Sequence, residues 1–168
     1  MNPLILTLTL DPVSQAFFDR ERLLWFPPAI NLIPAHVTLF HHLPGDGRDQ
    51  ILGVLRDHCA RHPAMPFTAE GLRFLGRGVA YRLHAPGAAK LRASLAEAWN
   101  DHLTPQDRQA WRPHVTIQNK ADPAAARALH QRLARDFTPF EGLATGLHLW
   151  RYLGGPWASE TILPFSGA

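Results

Sequence analysis

The sequence predicts an α+β fold of two pseudo-symmetric lobes, each with an antiparallel sheet and helices, and a cleft between them. Three observations carry that expectation. A tetrapeptide occurs twice, as His36-Val37-Thr38-Leu39 and His114-Val115-Thr116-Ile117, its first positions 78 residues apart. A second block, Arg73-Phe74-Leu75-Gly76 and Arg151-Tyr152-Leu153-Gly154, repeats at the same offset of 78. After each copy of the first block the hydrophobic period changes from that of a strand to that of a helix and then to that of a hairpin. H-x-T alone is weak in a chain with 10 His among 168 residues. Two copies of H-V-T followed by Leu or Ile have a chance probability well below about one in a thousand. A period this long, present only twice, is no solenoid unit and reads as related halves of one domain spanning residues 1–168.

The elements follow in order. Leu4 to Leu10 alternates apolar residues with Thr as a strand does and stops at Asp11-Pro12, where Asp11 can cap a helix running to about Trp25. Pro27-Pro28 ends that helix, and a loop leads to Pro34. Residues 35–42 form the first motif strand, with His36, Thr38, Phe40 and His42 expected on one face and Val37, Leu39 and His41 on the other. Ile51, Leu52, Leu55 and Cys59 lie at helical spacing within 48–62. Phe67–Leu75 and Val79–His84 flank Gly76-Arg77-Gly78 as a hairpin, and 87–103 reads as an amphipathic helix. The second motif strand, 113–120, puts His114, Thr116, Gln118 and Lys120 on a common face. Asp122-Pro123 starts a helix to about Phe137, and strands at 142–153 and 157–165 surround Gly154-Gly155-Pro156. Under a pseudo-twofold the two motif strands lie side by side and their His and Thr faces line one groove.

Composition narrows the class. An apolar fraction of 46% supports a real core, and the 15 Pro and 12 Gly are scattered through turns. Net charge is +3 with a pI near 9.6, and Arg dominates the basic residues, which suits planar recognition of phosphate. The single Cys59 cannot form an internal disulfide and reads as a buried thiol in a reducing compartment. No basic leader precedes the first apolar residues and no apolar run is of membrane-spanning length, so a cytoplasmic protein with no membrane contact and no obligate protein partner is expected.

Two histidines facing each other across a small gap can act as general base and general acid together, because imidazole titrates near neutral pH. A Thr hydroxyl two residues beyond each can donate to phosphoryl oxygens. That set fits phosphoester chemistry without a metal or other cofactor. His41 and His42 beside His36 do not make a metal site from one regular strand, since adjacent side chains point to opposite faces. Thr38 and Thr116 are also plain β-formers. Lys120, Arg73 and Arg151 are candidate phosphate contacts, while Lys120 also fits a solvated strand end and the two Arg a recurring turn. Phe40, Trp111 and Trp157 are candidate stacking platforms, although aromatic residues so placed more often pack in the core, and Phe40 alone has an argument from its facing. Arg112 either enters the groove or merely precedes Pro113.

These residues carry a resemblance. The paired His36-Val37-Thr38-Leu39 and His114-Val115-Thr116-Ile117 resemble the twin H-x-T-x motifs of the 2H phosphoesterase superfamily, in particular its 2'-5' RNA ligase and RNA 2',3'-cyclic phosphodiesterase branch. The chain length and the stretch Leu149 to Trp157 are similar to its small bacterial members. The resemblance implies a bilobal α+β fold, metal-independent action on 2',3'-cyclic or 2'-5' phosphodiesters, His36 and His114 as catalytic residues, and Thr38 and Thr116 as phosphate ligands. It implies as partner an RNA end or nucleotide carrying such a diester. Phe40 and Gln118 follow the two motifs and differ, so the lobes are not expected to contribute equally. A non-catalytic module holding a nucleotide or RNA end in the same cleft is the alternative. A metal-dependent hydrolase lacks any H-E-x-x-H or carboxylate-rich ligand cluster here.

Overall fold

The structure, a computed structural model, describes residues 1–168. Its strands are β1 (Leu4–Leu10), β2 (Val37–Leu43), β3 (Met65–Phe74), β4 (Val79–His84), β5 (His114–Gln118), β6 (Phe140–Tyr152) and β7 (Trp157–Pro164). Its helices are α1 (Pro12–Trp25), α2 (Arg48–Arg61), α3 (Pro86–Ala98), α4 (Pro105–Arg108) and α5 (Pro123–Asp136). The antiparallel α+β class is the one expected, and each motif strand is followed by a helix and a hairpin.

Local chemistry explains the helix starts. Asp11 accepts the Ser14 N–H ahead of α1, Asp122 accepts the N–H groups of Ala124 and Ala125 ahead of α5, and Pro opens both helices. The helix expected over 87–103 stops instead at Ala98. Trp99 leaves helical geometry there, and a separate turn, α4, begins at Pro105 behind Thr104, whose hydroxyl accepts the Asp107 N–H.

All strands belong to one antiparallel sheet of order β2-β1-β6-β3-β4-β5, with β7 paired to β6. β6 joins its halves: residues 140–144 pair with β3, while residues 144–151 pair with β1. The hairpin that follows the first motif therefore supports the second motif strand, through β4 and β5. β1 supports the first. The motif strands are not hydrogen-bonded neighbours. They are the two ends of the sheet, and its twist brings β2 and β5 together across a cleft. Leu4, Leu6, Leu55, Leu91 and Leu147 lie at the centre of a continuous buried cluster, and Phe18 brings α1 into it against Tyr81.

Both motif strands carry a bulge at the same place. Thr38 pairs with Thr7, but the next pair is Phe40 with Leu6, leaving Leu39 as an extra residue. Thr116 pairs with Ala80, but the next pair is Gln118 with Val79, leaving Ile117 extra. A bulge of this kind resets the alternation of side chains beyond it.

Candidate active site

His36 immediately precedes β2 and His114 opens β5. Each ring is fixed in the same way. Nδ1 of His36 donates to the Pro34 carbonyl at 2.9 Å, and Nδ1 of His114 donates to the Arg112 carbonyl at 2.7 Å. A carbonyl only accepts, so both neutral rings carry the proton on Nδ1 and keep the Nε2 lone pair free. Thr38 and Thr116 follow two residues on, both half-buried, with Val37 and Val115 anchored in the core between.

Each motif strand exposes an unpaired edge, and a side chain closes each. Trp111 Nε1 donates to the Thr38 carbonyl at 2.9 Å, and the Arg22 guanidinium donates to the Thr116 carbonyl at 3.0 Å. On β2 the closure continues with Arg92, whose Nε reaches the Leu39 carbonyl at 2.9 Å. Buried Asp107 accepts the backbone N–H groups of His41 and His42 at 2.8 and 2.9 Å. These partners satisfy backbone groups that would otherwise template strand addition.

The electrostatics disfavour charged imidazoles. Burial is the largest cause of the His36 pKa falling from 6.5 to about 4; the Pro34 carbonyl opposes it, and the charges of Arg22, His114 and His41 add to it. His114 is lowered as well, first by burial and then by Arg73, His41 and Arg112, against the Arg112 carbonyl. In the free protein at neutral pH both rings are bases.

Thr38, His41, Arg73, Trp111, Arg112 and His114 line a cavity of about 290 Å³ between the motif strands. On the other side of His36 the Trp157 ring lies 4.8 Å away, and Trp150 packs 5.8 Å from Trp157. A larger cavity of about 640 Å³ lies between α2 and the end of α3. It contains neither motif histidine and no guanidinium, so its size does not make it the site.

The expected contacts divide. Arg73 shares the cleft side with Thr116, because both flank Ala80 in register. Trp157 stands beside His36. Phe40 does not face the cleft: the bulge turns it into the core, fully buried against Trp99 at 5.3 Å and beneath the Arg92 guanidinium. The matching bulge turns Gln118 inward to 9% exposure, where its Oε1 has no partner. Arg151 pairs with Leu4 on the side of the sheet opposite Thr7 and Thr38, and its guanidinium is taken by Glu160 at 2.5 Å and the Asn2 carbonyl at 3.1 Å. Lys120 lies past the end of β5, exposed, at φ 56°.

The residue that alternation hid is His41, which the bulge brings round to the cleft. Asp107 and Arg22 were also missed as structural partners of the motif strands. Thr104-Pro105-Gln106-Asp107 reads as a capped helical turn and is the one sequence signal that points to Asp107. No group of three or more His, Cys, Asp or Glu side chains is arranged to hold a metal ion.

The whole chain is similar in fold to several solved structures. TT0787 of Thermus thermophilus superposes with a TM-score of 0.68 at 16% identity over 98% of both chains. E. coli LigT, in its complex with 3'-AMP, gives 0.65 at 16% identity, again over 98% of both. Kluyveromyces marxianus Usb1 with uridine monophosphate gives 0.51 at 15% identity, over 97% of this chain and 98% of that one. No curated protein matches by sequence. Residues 10–156 match the family described as the 2'-5' RNA ligase superfamily, a span that contains both H-V-T motifs, both bulges and Arg73. The chain belongs to the 2'-5' RNA ligase superfamily of 2H phosphoesterases.

Proposed function

We propose that the chain is a metal-independent phosphodiesterase that opens 2',3'-cyclic phosphate ends of RNA or nucleotides, with His36 and His114 as its acid–base pair. The observation that carries this reading is the matched pair of imidazoles. Each is held through Nδ1 by the carbonyl two residues before it, leaves Nε2 free, and is followed by a half-buried Thr.

In the reaction one Nε2 takes a proton from water, whose oxygen attacks phosphorus in line with one ribose oxygen. That P–O bond breaks, and the second imidazole, protonated at Nε2, gives its proton to the departing oxygen. The ring is open, the phosphate is a monoester, and the two imidazoles have exchanged protonation states. Thr38 and Thr116 donate to the non-bridging oxygens, which gain charge in the transition state. When the 5'-hydroxyl of a second ribose takes the place of water, the same base removes its proton, its oxygen bonds to phosphorus, the bond to the 3'-oxygen breaks, and the same acid protonates that oxygen, leaving a 2'-5' linkage. Because the pair is symmetric, this exchange also runs backwards.

Burial lowers both imidazole pKa values in the free protein, so the approaching phosphate anion supplies the field that protonates one of them. Trp157 beside His36 offers a face for a nucleobase. The nucleotides in the LigT and Usb1 complexes are of the class this reading requires.

The test is turnover of a nucleoside 2',3'-cyclic phosphate with a chelator present. Hydrolysis that survives the chelator and falls by at least about a thousandfold in both His36→Ala and His114→Ala is expected. Tight binding without product would point to a non-catalytic module instead.

A further inference from the structure

We infer that the cleft carries a second anion subsite beside His114, formed by Arg73, Arg112 and His41, which takes a phosphate flanking the scissile diester. The inference rests on the phosphodiesterase reading and specifies its substrate: a diester with a second phosphate one position away is preferred over a lone nucleoside 2',3'-cyclic phosphate.

Three observations converge on this. First, Arg73 and Arg112 line the same cavity as His114 and are close enough for the charge of Arg112 to act on Arg73. Neither guanidinium has a carboxylate partner: the ion pairs of the molecule are made by His41, Arg48, Arg82 and Arg151. Two unpaired cations held together repel, and an anion between them removes that repulsion. Guanidinium forks match phosphate oxygens in geometry as well as charge.

Second, His41 is fixed in the cavity wall. Its Nδ1 donates to Asp107 Oδ1 at 3.1 Å, and the same carboxylate, with a fully buried side chain, holds the backbone on both sides of the ring. The His41 side chain itself remains 45% exposed. That geometry leaves Nε2 without a protein partner and available as a donor or acceptor.

Third, the cavity is electrostatically one-signed. No carboxylate lines it, and Thr38, Gln106, Gln109 and Trp111 add only neutral polar groups to its histidines and arginines. The third arginine, Arg92, is spent on the Leu39 and Asp107 carbonyls and acts as a structural support. Thr38 and His114 border both this cavity and the proposed reaction centre, so the second phosphate sits adjacent to the first.

The chemistry fits two sources, the internal phosphate of an RNA end or the 5'-phosphate of a small nucleotide. Three substrates separate them: adenosine 2',3'-cyclic phosphate, its 5'-phosphorylated form, and the dinucleotide ApA ending in the cyclic phosphate. The wild-type chain is expected to favour at least one flanked substrate by about tenfold or more in kcat/KM at low salt, less at high salt. Advantage for both flanked substrates identifies a general second-phosphate site; advantage for the dinucleotide alone identifies the internal phosphate of RNA. In Arg73→Met, Arg112→Met and His41→Gln the ratio of flanked to unflanked kcat/KM falls toward one. Arg135→Met, which removes an exposed charge from α5, keeps the wild-type ratio. A second readout needs no turnover: calorimetric binding of adenosine 3',5'-bisphosphate against adenosine 3'-monophosphate. Turnover of all three substrates at equal efficiency overturns the subsite and leaves the phosphodiesterase reading intact. Absence of turnover with a bisphosphate preference lost in the arginine variants overturns that reading and supports the subsite. Equal binding of the two adenosine phosphates, together with no advantage for the dinucleotide in turnover, overturns the subsite.

Discussion

Asp107→Asn tests the closure of the first motif strand, because one substitution removes the charge while keeping the volume. The carboxylate accepts His41 N–H through both oxygens at 2.8 and 3.1 Å, His42 N–H at 2.9 Å and His41 Nδ1 at 3.1 Å. An amide has one accepting oxygen: with its NH2 turned to the His42 N–H that donor is left unpaired, at a cost of about 1–3 kcal/mol, and with it turned to His41 Nδ1 the ring must take its other tautomer and accept. Loss of charge assistance in the remaining bonds adds roughly 1 kcal/mol. The total, about 1–4 kcal/mol according to which way the amide faces, corresponds in a chain of this size to a Tm lower by about 2–16 °C. The assay is thermal unfolding followed by circular dichroism at several pH values. Burial alone would raise the Asp107 pKa, but the His41 side chain and the His41 and His42 N–H groups outweigh it and hold it below 3.8. A carboxylate whose folded pKa is depressed contributes stability that is present above the unfolded value and lost as pH falls through the folded one. The gap between Asp107→Asn and wild type is therefore full at pH 7 and closes below the usual carboxylate range. A Tm within about 2 °C of wild type at pH 7 would refute the assignment of Asp107 as the clamp on β2.

Other expectations follow from the same geometry. If Thr38 and Thr116 donate to the reacting phosphate as proposed, kcat of Thr38→Val and of Thr116→Val is expected to drop by about 10²–10³-fold with stability near wild type. Gly78→Ala would put a Cβ 1.9 Å from the Gln118 carbonyl oxygen and 2.8 Å from the Asn119 Cα, so the turn or the end of β5 must move. A loss of about 1–3 kcal/mol in chemical denaturation is expected, with reduced activity because β5 carries His114. Trp111→Phe leaves the Thr38 carbonyl without its donor and is expected to cost about 1–3 kcal/mol, with impaired activity recorded by steady-state kinetics.

Much of this molecule was legible in the sequence. The period-two pattern located the strands, Asp-Pro pairs located two helix starts, and the repeat at one offset marked His36, Thr38, His114 and Thr116. Regular alternation then failed just past each Thr. A bulge leaves little trace in hydrophobicity: Leu39-Phe40 and Ile117-Gln118 continue a plausible strand, yet both second residues turn inward and His41 turns outward. Arg73 and Arg151 repeat in sequence but part in structure, because side-chain direction depends on register with neighbouring strands. Arg22, Arg92 and Asp107 stayed hidden because their roles come from contacts over long chain separations, up to 94 residues for Arg22 with Thr116. The exchange of hairpins between halves is likewise a property of pairing, and local patterning carries no information about it.

The central claim is that two imidazoles act on one phosphodiester as base and acid, and the pH dependence of kcat/KM tests it most directly. With the His36 pKa lowered to about 4 and that of His114 lowered by burial and neighbouring charge, the profile should be a bell with both limbs displaced to the acid side of an ordinary imidazole, whichever ring is the base. In the kcat profile, where bound phosphate favours the charged rings, both limbs should move to higher pH. Each of His36→Ala and His114→Ala should remove one limb from the residual activity. A flat profile, or a bell that keeps both limbs in both variants, would contradict the account.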